Sequence, residues 1–235
     1  MTNLLITHTI IPPLSLSWWI GNLLSALAII FILKFLKRKS VRTQRKWEIG
    51  FFTYIVLHVL VWQAYYIFSG TWTAGESLPF QLCDLSRILG GFLMFRFNQY
   101  LFEFLILLGL GGALQSFLTP EIAMVYNPLT HVDYYLSHTL IMVFGLYLFY
   151  VKGYRIRKKS WIYSFSIGLL LMLFLGIFNY FSGGNYMFLN EKPIVENPLV
   201  IGDWPFYILA FIAAGFGNIM LSFWLFRWKK LRGVE

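Results

Sequence analysis

Cysteine is nearly absent from this chain. Cys83 is the only one, so no internal disulfide can form and cysteine usage carries no message about redox compartment. Charge is scarce as well: Asp, Glu, Lys and Arg together make 12% of the residues, about half of what a soluble domain of this length carries. The glycines at 109, 111 and 112 are not followed by Lys-Ser/Thr, which excludes a phosphate-binding loop. Ten-residue segments of alternating polarity are missing, which excludes a membrane β-barrel. No internal repeat and no low-complexity tract is present. The opening "MTNLLITHTIIPPLSLSWW" has neither a basic n-region nor a small-residue cleavage site. It reads as an external lead-in, residues 1–15, rather than a signal peptide.

Apolar sequence fills the space. Of 235 residues 58% are hydrophobic and 20% aromatic, and the mean hydropathy is +0.66. A membrane helix needs about 20 mostly apolar residues to cross about 30 Å of hydrocarbon. Seven stretches meet that demand: 16–36, 48–68, 82–97, 99–118, 132–151, 160–181 and 204–226. The third is the shortest and carries Arg87. The expectation is an all-α polytopic membrane protein with seven transmembrane helices, built as one domain over residues 1–235.

The net charge of +9 does not point to nucleic acid, because the basic residues sit in short links between apolar runs. Of the 19 basic residues, only Arg87 and Lys192 fall outside the stretches 34–46, Arg96, 152–159 and 227–232. Lys and Arg concentrate in cytoplasmic loops. This alternation places the N-terminus outside and the C-terminus, with its basic tail 227–235, in the cytoplasm. The small residues Gly109 and Ala113, and Ala213 and Gly217, are spaced four apart and suit helix–helix contact.

Chemistry gathers at one depth. Cys83 opens the third span on the outer side, beside Asp84, and Arg87 follows one turn later. Ionisable groups inside spans are costly and mark functional positions. At i+4, Arg87 shares a helix face with the thiol, about 6 Å away along the axis, and would favour the thiolate. Pairing of Arg87 with Asp84 at i, i+3 is the structural alternative. His138 lies about two turns inside the fifth span, and Asn179 lies near the outer end of the sixth. Thiolate attack on an acyl carbonyl needs a base within hydrogen-bond reach, and a distant histidine can supply it. His131 and His138 stand roughly 10 Å apart on a continuous helix, too far to chelate one metal together. No metal and no cofactor is expected. His58 reads as a core hydrogen-bonding group, His8 as a solvated tail residue, and Glu103 and Asn218 as inter-helix hydrogen-bonding groups. Ser86 and Ser137 each have a stronger neighbour for the nucleophile's role.

The segments "LPFQLCDLSRILGG", "LGGALQSFLTPE" and "GNYMFLNEKP" resemble, in order and spacing, the YwaF-type family of bacterial integral membrane proteins. The likeness extends over roughly residues 45–225. That group is similar to a eukaryotic multi-pass acyltransferase that remodels ether phospholipids with polyunsaturated acyl chains. The resemblance implies a cysteine–histidine acyl-transfer centre, with Cys83 matched to the cysteine and His138 to the histidine; His131 is the competitor. Some members carry histidine where this chain has Gln81. The expected function is therefore a lipid acyltransferase or lipid ester hydrolase in the bacterial plasma membrane, with Gln81 or Asn179 holding the oxyanion. Its partners would be membrane phospholipids or lysophospholipids, not nucleic acid. A transporter or solute-binding protein using Arg87 and Asp84 is the alternative from a different class. A receptor-like scaffold is the third.

Overall fold

The computed structural model describes residues 8–123, 128–195 and 200–228. The lead-in before His8 and the basic tail from residue 229 lie outside the described residues, as does the His8 side chain. The chain folds as β1 (His8–Ile10), α1 (Leu16–Lys37), α2 (Val41–Phe68), α3 (Leu82–Phe95), α4 (Gln99–Phe104), a π-helical turn (Leu105–Gly109), α5 (Leu110–Leu118), β2 (Glu121–Ala123), α6 (Pro128–Tyr150), α7 (Ser160–Ser182), a 3-10 turn (Tyr186–Phe188) and α8 (Phe206–Trp228). The two strands form a small antiparallel sheet, with His8 opposite Ala123 and Ile10 opposite Glu121.

Local chemistry sets the helix limits. Ser15, Ser40 and Asn98 cap α1, α2 and α4 by accepting from backbone N–H groups of the first turn. Gln44 donates to the carbonyls of Leu36 and Lys39, closing the α1–α2 corner. Arg45 donates to the last carbonyls of α3, Met94 at 2.9 Å and Phe95 at 3.0 Å. Those carbonyls have no partner inside the helix, so one side chain both ends α3 and ties it to the start of α2.

Among the described residues, six helices are long and apolar enough to cross a membrane: α1, α2, the continuous α4–α5 rod, α6, α7 and α8. The third expected span behaves differently. Pro79 and the extended Gln81 delay α3 to Leu82, and Arg45 stops it at Phe95. Its 14 residues reach about 21 Å, short of the hydrocarbon thickness.

Burial runs inside out. The α4–α5 rod and α6 form the buried centre, with Phe102, Leu105, Ile106, Leu107, Ile141 and Phe144 almost wholly inaccessible. Leu23, Leu27, Phe31, Leu60, Leu173 and Leu225 are exposed on the surrounding helices. An apolar exterior of this extent belongs in lipid. Two ends can be told apart. At the sheet end, β1 and β2 pair and Val195 donates to Glu121. At the basic end, Glu48 meets Arg45 and Lys152, and Glu103 takes a bidentate bond from Arg157. Glu103 thus links helices, as its place in the sequence suggested.

The π turn has an identifiable support. Asn218 of α8 donates to the Leu107 carbonyl at 3.1 Å. A side chain at Gly111 would collide with that amide, so the close approach requires glycine there. Gly109 and Ala113 do sit at packed positions, Gly109 against Ser86. Ala213 and Gly217 do not: both are exposed, and a Cβ on Gly217 would meet nothing within 4 Å. Gly217 faces an open cavity instead of a neighbouring helix.

Candidate functional site

A cavity of about 810 Å³ lies among α2, α3, α5, α6, α7 and α8. Its wall contains Cys83, Asp84 and Arg87 from α3, His58 from α2, Ser116 from α5, and Asp133, Ser137 and His138 from α6. Glu76 and Glu121 also line it, so its wall carries more acidic than basic side chains among the described residues.

The thiol stands in the first turn of α3, half-buried. Its Sγ is 3.4 Å from Ser116 Oγ. Ser116 already gives its hydroxyl proton to the Gly112 carbonyl at 3.1 Å. The serine oxygen is therefore the acceptor, and the cysteine donates to it as a thiol. Gly112 lets α3 come this close, since a Cβ there would press on Leu82.

His138 is buried and lines the same cavity. Its Nδ1 is 2.6 Å from the Tyr134 carbonyl one turn earlier. A carbonyl only accepts, so Nδ1 carries the proton and Nε2 is the ring's basic nitrogen. Tyr134 packs on the imidazole with ring centroids 4.3 Å apart and donates its hydroxyl to the Ser116 carbonyl. Tyr134 and Ser116 thus bridge the helix of the thiol's partner and the helix of the imidazole. No hydrogen bond joins Cys83 to His138 directly among the described residues.

Arg87 makes its hydrogen bonds away from the thiol. It donates to Asp84 at 3.0 Å and to Ser137 at 3.3 Å, and its Nη1 meets His58. A guanidinium has no acceptor, so the His58 nitrogen it meets, Nδ1, must accept. His58 Nε2 lies 2.6 Å from Asp133 Oδ1 and 3.1 Å from the Trp62 indole N–H. The result is a half-buried relay, Asp84–Arg87–His58–Asp133, strung across α3, α2 and α6. Arg87 Nε is buried without a partner. The pairing of Arg87 with Asp84 at i, i+3 is the outcome the structure shows. With both terminal nitrogens engaged elsewhere, Arg87 gives Cys83 no hydrogen bond, and only its charge reaches the thiol.

The other expected residues separate. Gln81 lines the cavity, and its Oε1 accepts from the Met187 N–H at 2.8 Å. That bond fixes the amide with its NH2 group as the remaining donor. Asn179 is fully buried and off the cavity wall. Its amide is spent on Tyr186, donating to the carbonyl at 2.9 Å and accepting from the N–H at 3.0 Å. It clamps the 3-10 turn and holds no oxyanion. His131 is also off the wall; it lies 3.4 Å from Ser17 Oγ and packs on Tyr135.

Sequence reading missed His58, Asp133, Ser116 and Tyr134 as site residues. A signal existed in "DYYLSH", where Asp133 with Ser137, and Tyr134 with His138, are both four apart on one helix. Ser116 carried no comparable signal. Outside the spans, Tyr186 closes the sheet-end loops. It is buried, donates to the Ala74 carbonyl and accepts from the Leu78 N–H, each at 2.9 Å. Burial pushes its phenol up to about 12.

A family model, that of the TMEM164 family, matches residues 12–224, from just before α1 through most of α8. The chain belongs to the TMEM164 family. That is a multi-pass membrane family, in accord with the six long apolar helices and the lipid-facing exterior. The TMEM164 match spans the thiol, the imidazole and the four-residue relay alike. No curated protein and no solved structure matches the chain.

Proposed function

We propose that this TMEM164-family protein is a membrane-embedded lipid acyltransferase, or lipid ester hydrolase, working through Cys83 and His138. One observation carries the reading: thiol and imidazole line the same cavity, linked through Ser116 and Tyr134. Its wall is polar around them and apolar elsewhere, which suits an amphipathic ester.

In this mechanism His138 Nε2 removes the Cys83 proton, and Sγ attacks the ester carbonyl carbon. The carbonyl electrons move to oxygen, where the Gln81 amide donates. The tetrahedral centre collapses, the carbon–oxygen ester bond breaks, and the imidazolium returns its proton to the leaving lysolipid oxygen. A thioester on Cys83 remains. A second lipid alcohol, or water, gives its proton to His138 and attacks the thioester. The carbon–sulfur bond breaks and the thiol is restored. The Tyr134 carbonyl keeps the imidazole in the tautomer this shuttle needs.

The topology proposal has seven crossings. The short α3 acts as the seventh, because it leads from the sheet-end loops to Arg45 at the basic end. With the basic end cytoplasmic, the N-terminus is outside, the C-terminus inside, and the site opens near the outer leaflet of a bacterial plasma membrane. Solute binding by Arg87 and Asp84 is the weaker reading, since the two already occupy each other.

The deciding experiment uses the purified full chain in lipid nanodiscs. A lipid-like activity probe should label Cys83, and Cys83→Ala and His138→Ala should each abolish acyl turnover. Full turnover in folded Cys83→Ala would end the reading.

A further inference from the structure

The cavity does not stop at the polar groups. It continues between α5, α7 and α8 past Leu108 and Met172 to Phe165, Ile219 and Leu221. All of these side chains are apolar, and the extension lies within the membrane-crossing rods. Glycine keeps it open. Gly168 and Gly217 both line it, and neither is pressed by a neighbouring backbone. The slot's length can be read along the helices. From Ser116, at the thiol, to Leu108 is eight residues, about 12 Å. Gly168 faces Leu108, and Phe165 lies three residues nearer the basic end, about 4.5 Å more.

We infer that this extension is an acyl-chain slot that holds one hydrocarbon tail in line with Cys83 and limits its length. The inference rests on the acyl-transfer reading for its purpose, but the binding it describes can be measured without turnover. An extended chain advances about 1.2 Å per bond, since a polypeptide with three bonds per residue reaches at most about 3.6 Å per residue. A slot of about 16 Å therefore takes about 13 bonds. Asn218, the polar side chain on this stretch, donates to the Leu107 carbonyl, whereas each methylene taken out of water improves affinity about fourfold. The cavity's polar mouth and apolar depth are continuous, which fits one amphipathic ligand rather than two separate ones.

The test is displacement of cis-parinaric acid from the full chain in nanodiscs by saturated fatty acids, octanoate to eicosanoate, with empty nanodiscs subtracted. Affinity should climb about fourfold per methylene and level off near 13 bonds. Gly168→Leu fills the deep end, where the nearest atom is the tip of Leu108. It should lower the cut-off by about four bonds and leave shorter chains unaffected. Gly217→Leu, placed in open space, gives a second reading of the same shift should the first variant fold poorly. Gly50→Leu, on α2 away from the cavity, should change nothing. An identical cut-off in all four proteins, or an equal loss for every chain length in a folded variant, would overturn the slot. If Cys83→Ala retains turnover while the length cut-off stands, the chemistry fails and the slot survives.

Discussion

His138 gives its Nδ1 proton to the Tyr134 carbonyl, 2.6 Å away on its own helix. Nε2 is thereby defined as the basic nitrogen, and among the described residues no carboxylate is hydrogen-bonded to it. A neutral, hydrogen-bonded imidazole of this kind works as a proton shuttle. His138→Gln, which keeps shape and polarity but cannot shuttle, should lower the acylation rate by about 100-fold or more. Single-turnover formation of a Cys83 thioester would measure it. An unchanged rate in folded protein would remove His138 from the chemistry.

The Asp84–Arg87–His58–Asp133 relay makes a different claim. Removing Arg87 strips the partner from a carboxylate and from an imidazole in a buried wall. Breaking a fully buried pair costs about 3–5 kcal/mol, and the partial exposure of Asp84 makes the cost here smaller. Arg87→Met should therefore markedly lower the thermal inactivation midpoint, and adding Asp84→Asn should recover part of the loss. Lowered turnover at unaltered stability would instead argue for a direct role of Arg87 in binding.

Asn179 is expected to matter for folding alone. Asn179→Leu leaves the Tyr186 N–H and carbonyl without partners, at a cost of about 1–3 kcal/mol for each unsatisfied group. Turnover per folded molecule should stay within about twofold, because the amide is off the cavity wall. A large fall in turnover of the folded variant would restore it as an oxyanion donor.

Tyr186 ties stability to alkaline pH. Its phenol is raised from 10.0 to about 12 in the folded protein. The folded state thus holds the proton more tightly than the unfolded chain. The stabilisation is complete below pH about 10 and is lost as pH rises through about 12. Thermal midpoints measured across that window should fall in the parent protein. In Tyr186→Phe the fall should be smaller, from a lower starting stability, since Leu78 and Ala74 lose their partner.

Much of the architecture followed from composition. Long apolar runs can lie in lipid only as helices, and basic links mark their ends. The rods observed agree with the stretches expected to within a few residues, except that α2 begins at Val41, seven residues ahead of the expected 48. Lengths and polarity are local properties, so they can be read along a chain. That Cys83 and His138 share one cavity was also legible, as costly polar groups placed at one depth.

Partner choice was not. Arg87 lies one helical turn from both Cys83 and Asp84, and the packing of α2 and α6 against α3 adds His58 and Ser137 to its partners. Asn179 and Gln81 looked alike as amides at the outer end, yet one is consumed by a turn and the other faces the cavity. Gly217 resembled a packing glycine and proved to border open space. Side-chain pairing and cavities arise from contacts between helices distant in sequence. Their geometry exists only once the bundle is assembled.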